Sequence, residues 1–506
     1  MSPPINDLPR KIHACWLGKN IGGTLGGPHE GKPGPLALSF YDPVPDGVLP
    51  NDDLDLQLVW LHHLLKTGAT QVTPEILGEA WTRHVTFPYD EYAISLRNAA
   101  CGLSGPARGA TDNFFGECMG AAIRSEIWAC VAPGNPARAA GFAWADAVND
   151  HSGEGVWAEV FFAALQSLAF VETGTQTLLA DALARLPEAS EIRRAVLATV
   201  AEWDRTRDWP GVREYIIARY ARTNFTHVTA NVCFTILGWL AGGGDFWKSI
   251  CIAVNCGYDT DCTGATLGAL LGIINPEGID NRWLAPIGEG VVVSAPIIGI
   301  EPPATLAELT SQVMELGCQL RAASPVIGEI AECRPATRDT AFFHQPVLIE
   351  HRHDYTMGFE KTPPPDKCDK TTIHGQWLRF QRESFMNKAL DIVIPFYLPA
   401  PGDYAVMAWS DGDITCALDD QPVLAVPADD TRRNIYAAPS PHRAGPFRAE
   451  VRIGTGAHTL RLRLRRPQTA TDCVFALADA ATHQWLPGAF GAQGRVEGAP
   501  LRARTP

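Results

Sequence analysis

The sequence predicts two domains of different class, an all-α domain over residues 1–325 and an all-β, jelly-roll-like sandwich over residues 345–495. Three observations carry this expectation. At 506 residues the chain exceeds what a single hydrophobic core organises, since cores stop growing at roughly 250–300 residues. From about Asn51 to Leu320 the long segments repeat apolar residues at helical spacing, as in EIRRAVLATVAEW, HVTANVCFTILGWLAG and DFWKSICIAVNCG. Beyond about Ala336 the texture turns to short alternating runs divided by turn residues.

Each part can be justified in chain order. Within the first half, Gly and Pro fall between the periodic segments, in VAPGNP, AGGGD and IINPEGI, where helices are expected to start or stop. The stretch ECRPATRDT reads as part of a linker placed at 326–344. In PFRAEVRIGTGAHTLRLRLRRP, Leu460, Leu462 and Leu464 alternate with Arg461, Arg463 and Arg465, and a Gly-Thr-Gly turn separates them from a second alternating run at Val451 and Ile453. Two strands, each with an apolar and a charged face, account for that pattern. APGDYAVMAWSDGDITCALDDQPVLAV repeats the theme, with its Asp-Gly and Asp-Asp pairs explained by turn chemistry or by Ca²⁺. Residues 496–506 are expected to form a loose tail.

Composition narrows the function classes. Apolar residues at 46% and charged residues at 19% describe a globular chain. The 42 Lys+Arg against 56 Asp+Glu leave a net charge of −14, a poor match to a phosphate backbone, so nucleic acid is not expected as a partner. The 13 cysteines form neither a CxxC pair nor a zinc spacing and mostly sit in apolar runs, as small buried hydrophobes of a reducing compartment do. No window has the length of a membrane span or the layout of a signal peptide. A cytoplasmic location and no membrane partner follow as expectations.

Two acidic clusters stand out, NDDLDLQ at 51–57 and GYDTDCTGA at 257–265. Each crowds carboxylates where a loop enters an apolar helix, and such crowding needs a cation, a basic partner or water. Helix N-termini favour negative charge, so capped helix starts are the plain alternative. Asp, Asn and Thr oxygens are ligands for Mg²⁺ or Ca²⁺ rather than zinc. A third feature, GKNIGGTLGGPHEG, places six glycines between Gly18 and Gly31 and ends at Glu30, leaving little bulk to keep a neighbouring backbone away.

These three features, in this order over about residues 10–275, resemble the ADP-ribosylglycohydrolases. The resemblance implies a helical fold and Mg²⁺, as one or two ions with Mn²⁺ or Ca²⁺ as substitutes. It places the metal ligands on Asn51, Asp52 and Asp53 and on Asp259, Asp261 and Cys262, with Asn51 and Cys262 standing where the family has Thr. A thiol is a poor partner for Mg²⁺, and Thr263 would have to compensate. It assigns Glu30 to the attacking water; Asp55, absent from the simplest family pattern and two residues beyond the metal pair, is a candidate catalytic or outer-shell carboxylate weighed against a solvated or capping one, and Glu117 is a further candidate catalytic carboxylate. DNFFGECMGAAIRSEIWA resembles the family's glycine-centred helix and offers Asn113, Arg124 and Glu126, the two charges being more often paired than catalytic. His151 and Glu159 in VNDHSGEGVWAEVFFAAL, and His227 and Asn231 in TNFTHVTANV, are the remaining substrate-binding candidates, each weighed against a satisfied core residue.

The function this implies is a Mg²⁺-dependent glycosidase that hydrolyses an N- or O-glycosidic bond of ADP-ribose or a related ribosyl substrate. Two alternatives stand beside it. One is a glycoside hydrolase for another carbohydrate, with the sandwich assisting substrate binding through Trp377, Trp409 or Trp485, although such aromatics more often fill a core or an interface. The other is a catalytically inactive binding scaffold.

Overall fold

The computed structural model describes residues 7–222, 224–330, 346–353, 369–380, 388–410, 412–427, 445–465 and 471–486. Helices occupy the first part, from Leu8–Gly26 to Leu306–Gln319, and strands the second. The expected tail, most of the expected linker and Asp411 lie outside the described residues. Helix starts carry the residues that satisfy free backbone N–H groups: the side chains of Thr73, Ser190, Asp245 and Thr305 accept from Ile76, Arg193, Lys248 and Glu308. Among the described residues no helix is long and apolar enough to cross a membrane.

The glycine-rich segment is the helix Leu8–Gly26, and its glycines fix what it packs against. A Cβ on Gly18 would lie 2.0 Å from the Gly268 oxygen, one on Gly22 2.0 Å from the Gly264 oxygen, and one on Gly26 2.2 Å from the Thr260 oxygen. The helix therefore runs antiparallel to Thr260–Ile274 with the two backbones in direct contact, closer than any side chain permits. This crossing brings Glu30, just past the end of the first helix, to Asp259 and Asp261, at the start of the other.

The strands are β1 (Pro346–His353), β2 (Asp369–His374), β3 (Trp377–Phe380), β4 (Lys388–Leu398), β5 (Gly402–Ser410), β6 (Asp413–Leu418), β7 (Gln421–Val426), β8 (Arg448–Ile453), β9 (Gly456–Arg465) and β10 (Thr471–Asp479). They form a six-stranded sheet in the order β2-β1-β4-β9-β6-β7 and a four-stranded sheet in the order β3-β10-β5-β8. All these pairings are antiparallel. Leu460, Leu462 and Leu464 of β9 face the core with Ile392 and Ile394 of β4. Arg463 faces outward and pairs with Asp391 at 2.5 and 2.7 Å across the same two strands. The strands flanking Gly-Thr-Gly are present, but they do not pair with each other, because β8 joins β5 and β9 joins β4 and β6.

The central strands β5 and β10 of the four-stranded sheet are buried on both faces. The outer side of this sheet carries Ala405, Met407, Ala476 and Ala478, which pack with Ala93, Ile94, Phe115 and Cys118 of the helical domain and with Trp485. That explains why DYAVMAWS in β5 is a continuous apolar run rather than an alternating one. Polar anchors flank the contact. The carboxylate of Asp112 accepts the backbone N–H groups of Gln376 at 2.8 Å and Trp377 at 3.0 Å, and Arg97 donates to the Gln376 side chain at 2.6 Å. Trp377, Trp409 and Trp485 are buried here, the first two against Phe114, so none offers an open stacking platform.

Candidate functional site

Both acidic clusters and Glu30 meet at one cavity of about 250 Å³. Its walls are Glu30, Asp52, Tyr89, Asp90, Glu91, Tyr92, Gly120, Ile123, Thr226, Asp259, Asp261 and Cys262, so six carboxylates share one small space. The helix Asp52–Thr67 delivers Asp52 and Asp53 from its first turn, with the Asn51 side chain capping that turn by accepting from the Asp53 N–H at 3.0 Å. The Tyr92 hydroxyl donates to Asp52 at 3.1 Å. Asp259 stands at the N-terminus of Thr260–Ile274, its N–H donating to the Asn231 side chain at 3.3 Å.

Burial and mutual repulsion shape the protonation of this cluster. Burial raises the carboxyls of Asp259 and Asp261 well above the usual range, and the charge of Glu30 raises them further. Burial also lifts Asp52, against the pull of the Tyr92 hydroxyl and the Lys19 ammonium, and pushes Asp53 up to about 7 although Lys19 opposes it. The Cys262 thiol is raised well above its ordinary value by burial and then by Asp259, which keeps it protonated.

The donor set fits a hard divalent cation. Neither carboxylate oxygen of the buried Asp53 accepts a hydrogen bond, and the same holds for Oδ1 of Asp261. Buried oxygens of that kind ordinarily have a partner. Ligand atoms of Asp53, Asp261 and Cys262 lie within 4.8 Å of one another. Carboxylate oxygens suit hard cations such as Mg²⁺, Mn²⁺ or Ca²⁺, and the Cys262 thiol is the soft donor of this group.

The remaining sequence candidates divide sharply. Asp52, Asp259, Asp261, Cys262 and Glu30 line the cavity, whereas Asn51 acts as a helix cap. Thr263 does not reach the cavity, for its hydroxyl donates to the Thr260 carbonyl one helical turn back, so it does not compensate for Cys262. Asp55 turns away to accept the Ser294 N–H at 3.2 and 3.3 Å, which fastens a loop. Glu117 sits outside the wall, half-buried, accepting from the Glu154 N–H and 3.9 Å from His227. Asn113 is spent on the Gly109 and Asp150 carbonyls and the Phe115 N–H. Glu126 bonds to Lys19, Gln57 and Gln166 in a buried polar network. His151 stands behind the wall, with Nδ1 2.9 Å from Asp150 and Nε2 accepting the Ala121 N–H and lying 3.6 Å from Glu91.

Asn231 supports Asp259 from behind and also ties the Phe225 and His227 carbonyls. Arg124 pairs with Asp146, Asp150 and Glu159, the structural outcome its place in an apolar segment suggested. That segment is not one helix, because turns and a short 3₁₀ stretch at Ala122–Arg124 precede Ser125–Val131.

Sequence reasoning passed over the wall built by Tyr89, Asp90, Glu91 and Tyr92. A usable signal was there in PYDEY, an acidic pair between tyrosines at the start of an apolar helix, which is the same criterion that singled out NDDLDLQ. Asp90 also opens its helix at φ 49, a left-handed conformation uncommon for a residue with a side chain.

The raised carboxyls carry a pH prediction for the metal-free protein. Burial lifts Asp53 and Asp55 from 3.8 to about 7. Between those limits the folded chain holds protons that the unfolded chain has released, so their contribution to stability is full below about 4 and declines as pH rises to about 7. Urea unfolding from pH 5 to 8 is expected to show this fall. Asp53→Asn and Asp55→Asn should each flatten the slope by up to about 1.4 kcal/mol per pH unit.

Comparison with known proteins identifies a family for the helical part of the chain. A model of the ADP-ribosylglycohydrolase family matches residues 4–320. No curated protein matches the chain. Among solved structures, one described as an ADP-ribosylglycohydrolase-related protein complex is 20% identical with a TM-score of 0.43, and the match covers 62% of this chain and 98% of that one. A β-glucosidase from Kluyveromyces marxianus in complex with glucose is 9% identical with a TM-score of 0.20, over 26% of this chain and 16% of that one. An anti-sigma factor domain-containing protein from Clostridium clariflavum is 8% identical with a TM-score of 0.18, over 27% of this chain and 42% of that one.

Proposed function

Because the chain belongs to the ADP-ribosylglycohydrolase family, we propose that it is a divalent-cation-dependent glycosidase acting on ADP-ribose or a related ribosyl group. The observation that carries this reading is the convergence of six carboxylates on a cavity with room for one sugar ring, beside the buried Asp53 and Asp261 oxygens that lack hydrogen bonds. Asp52, Asp53, Asp259 and Asp261 would hold the cation. A bound Mg²⁺ or Mn²⁺ supplies Lewis acidity toward vicinal sugar hydroxyls and makes water a stronger acid.

The chain's own residues do the rest. Glu30, exposed beside the buried Asp259 and Asp261, is placed to accept the proton of the attacking water. Tyr92 fixes the orientation of Asp52. Asp90 and Glu91 line the cavity, burial and the Asp90 charge hold the Glu91 carboxyl well above the usual range, and in their ionised form the two would favour the positive charge that develops at the anomeric carbon. Burial of Trp377, Trp409 and Trp485 leaves these three rings unavailable as a sugar-stacking platform on the sandwich.

The test is sugar release from ADP-ribosylated peptides, O-acetyl-ADP-ribose and aryl furanosides and pyranosides, each with Mg²⁺, Mn²⁺ or EDTA. Free ADP-ribose that EDTA abolishes is the expected result. Release from simple glycosides alone would move the protein to another substrate class, and inactivity on every substrate with either metal would sink the enzymatic reading.

A further inference from the structure

Glu30 ends the short 3₁₀ turn Gly27–His29, and the loop behind it is fastened to the chain that leads into Asp259. The Gly31 N–H donates to the Tyr258 carbonyl at 2.9 Å and the Tyr258 N–H to the Lys32 carbonyl at 2.7 Å, so Glu30 and Asp259 flank one pair of backbone bonds. Farther along, the Leu36 N–H donates to the Asn255 carbonyl at 2.8 Å. The Asn255 side chain accepts the Leu38 N–H at 2.7 Å and donates to the Leu38 carbonyl at 3.0 Å. Between these two ties the backbones touch, for a Cβ on Gly257 would lie 2.7 Å from the Gly34 nitrogen and the Lys32 oxygen.

Arg213 closes the stretch between the ties. It sits on the helix Trp209–Tyr220, 3% exposed. Its Nε donates to the Cys256 carbonyl at 2.8 Å and its Nη2 to the Pro33 carbonyl, so one guanidinium spans both segments, while Nη1 goes to Glu214. A planar fork serves two carbonyls at once in a fixed geometry, which a lysine ammonium does not. The fastening works against a push. Glu30 shares the cavity wall with Asp259 and Asp261, and like charges crowded in a buried site repel.

Building on the reading of Glu30 as the acceptor of the water's proton, we infer that Arg213 is the positioning residue for that carboxylate. By gripping the Pro33 and Cys256 carbonyls it holds the loop at 31–36 on the segment 255–258 and keeps Glu30 beside Asp259. Arg213 is not among the described residues of the cavity wall, so it acts through the backbone it holds.

The experiment uses the full chain and compares Arg213→Ala and Arg213→Lys with wild type. Hydrogen exchange of the peptide spanning residues 27–38, read by mass spectrometry, reports on the clamp without substrate. Exchange about tenfold faster in Arg213→Ala is expected, since hydrogen bonds from a charged donor are lost. Exchange equal to wild type would overturn the clamp. Mg²⁺-supported release of ADP-ribose from ADP-ribosylated peptides reads the consequence. The kcat should fall about 10²-fold in Arg213→Ala and about tenfold in Arg213→Lys, with KM unchanged, as a displacement of about 1 Å at a reacting group entails. A cycle with Glu30→Gln separates positioning from general damage. Adding Glu30→Gln to Arg213→Ala should cost less than about threefold more, because the carboxylate it removes is already out of place. Losses that multiply would make Arg213 a structural residue and overturn the inference. Full activity of Glu30→Gln would instead overturn the reading of Glu30, and with it the role of Arg213. No release by wild type would overturn the proposed activity itself, and the exchange alone then decides whether Arg213 holds the loop.

Discussion

Asp261→Ala is expected to lower kcat/KM on the order of 10³-fold, roughly 4 kcal/mol of transition-state stabilisation, and at the same time to stabilise the metal-free protein. The two effects come from the same feature. Asp261 is buried beside Glu30, Asp259 and Asp53, and the cost of ionising it there keeps its carboxyl far above the usual range. Removing it relieves repulsion that only a bound cation would otherwise offset. Differential scanning calorimetry should therefore show a higher Tm than wild type in EDTA and a smaller rise on adding Mg²⁺, since ligand stabilisation follows affinity. A variant that lost activity and stability together would mean that Asp261 is a structural carboxylate. Trading stability for a charged site is the ordinary cost of function.

Gly22→Ala should produce the second large effect, through geometry instead of charge. The new methyl carbon would sit 2.0 Å from the Gly264 oxygen and 2.2 Å from its carbonyl carbon, both backbone atoms that cannot swing aside. The helices have to part, and overpacking of this kind costs about 3 kcal/mol, outweighing the small gain in helix propensity. Parting them also moves Glu30 away from Asp259 and Asp261, and a displacement of about 1 Å at a reacting group can cost 10²-fold in rate. Urea unfolding and kcat/KM read the two losses separately. Gly27→Ala, where a Cβ would meet nothing within 4 Å, is the control and should change neither.

The parts legible from sequence were those where one segment carries its own evidence. Leu460, Leu462 and Leu464 against Arg461, Arg463 and Arg465 announce a two-faced strand without help from the rest of the chain. Asp52, Asp259 and Asp261 stood out as carboxylates crowded where a loop enters an apolar helix, with capped helix starts as the plain alternative, and Glu30 came from the family resemblance. Glu126, Asn113 and Asn231 illustrate the converse. A polar side chain in an apolar segment looks the same in sequence whether it faces a ligand or a buried amide, and only the tertiary partner distinguishes the two. The partners here are Gln166, 40 residues from Glu126, and Asp150, 37 residues from Asn113. The pairing of β8 with β5 instead of β9 is a long-range choice of the same kind.

The contact between the sandwich and the segment around Asp112 has a consequence for how the gene can be divided. A chain cut near residue 325 would keep the family's catalytic length yet leave Ala93, Ile94, Phe115 and Cys118 facing water, with the Asp112 carboxylate stripped of both its donors. Those residues belong to the same stretches as Asp90, Glu91 and Gly120, so the shortened product would expose a sticky apolar patch and loosen one side of the cavity together. A domain put in place of the sandwich therefore has to supply a matching apolar sheet face to keep that patch covered.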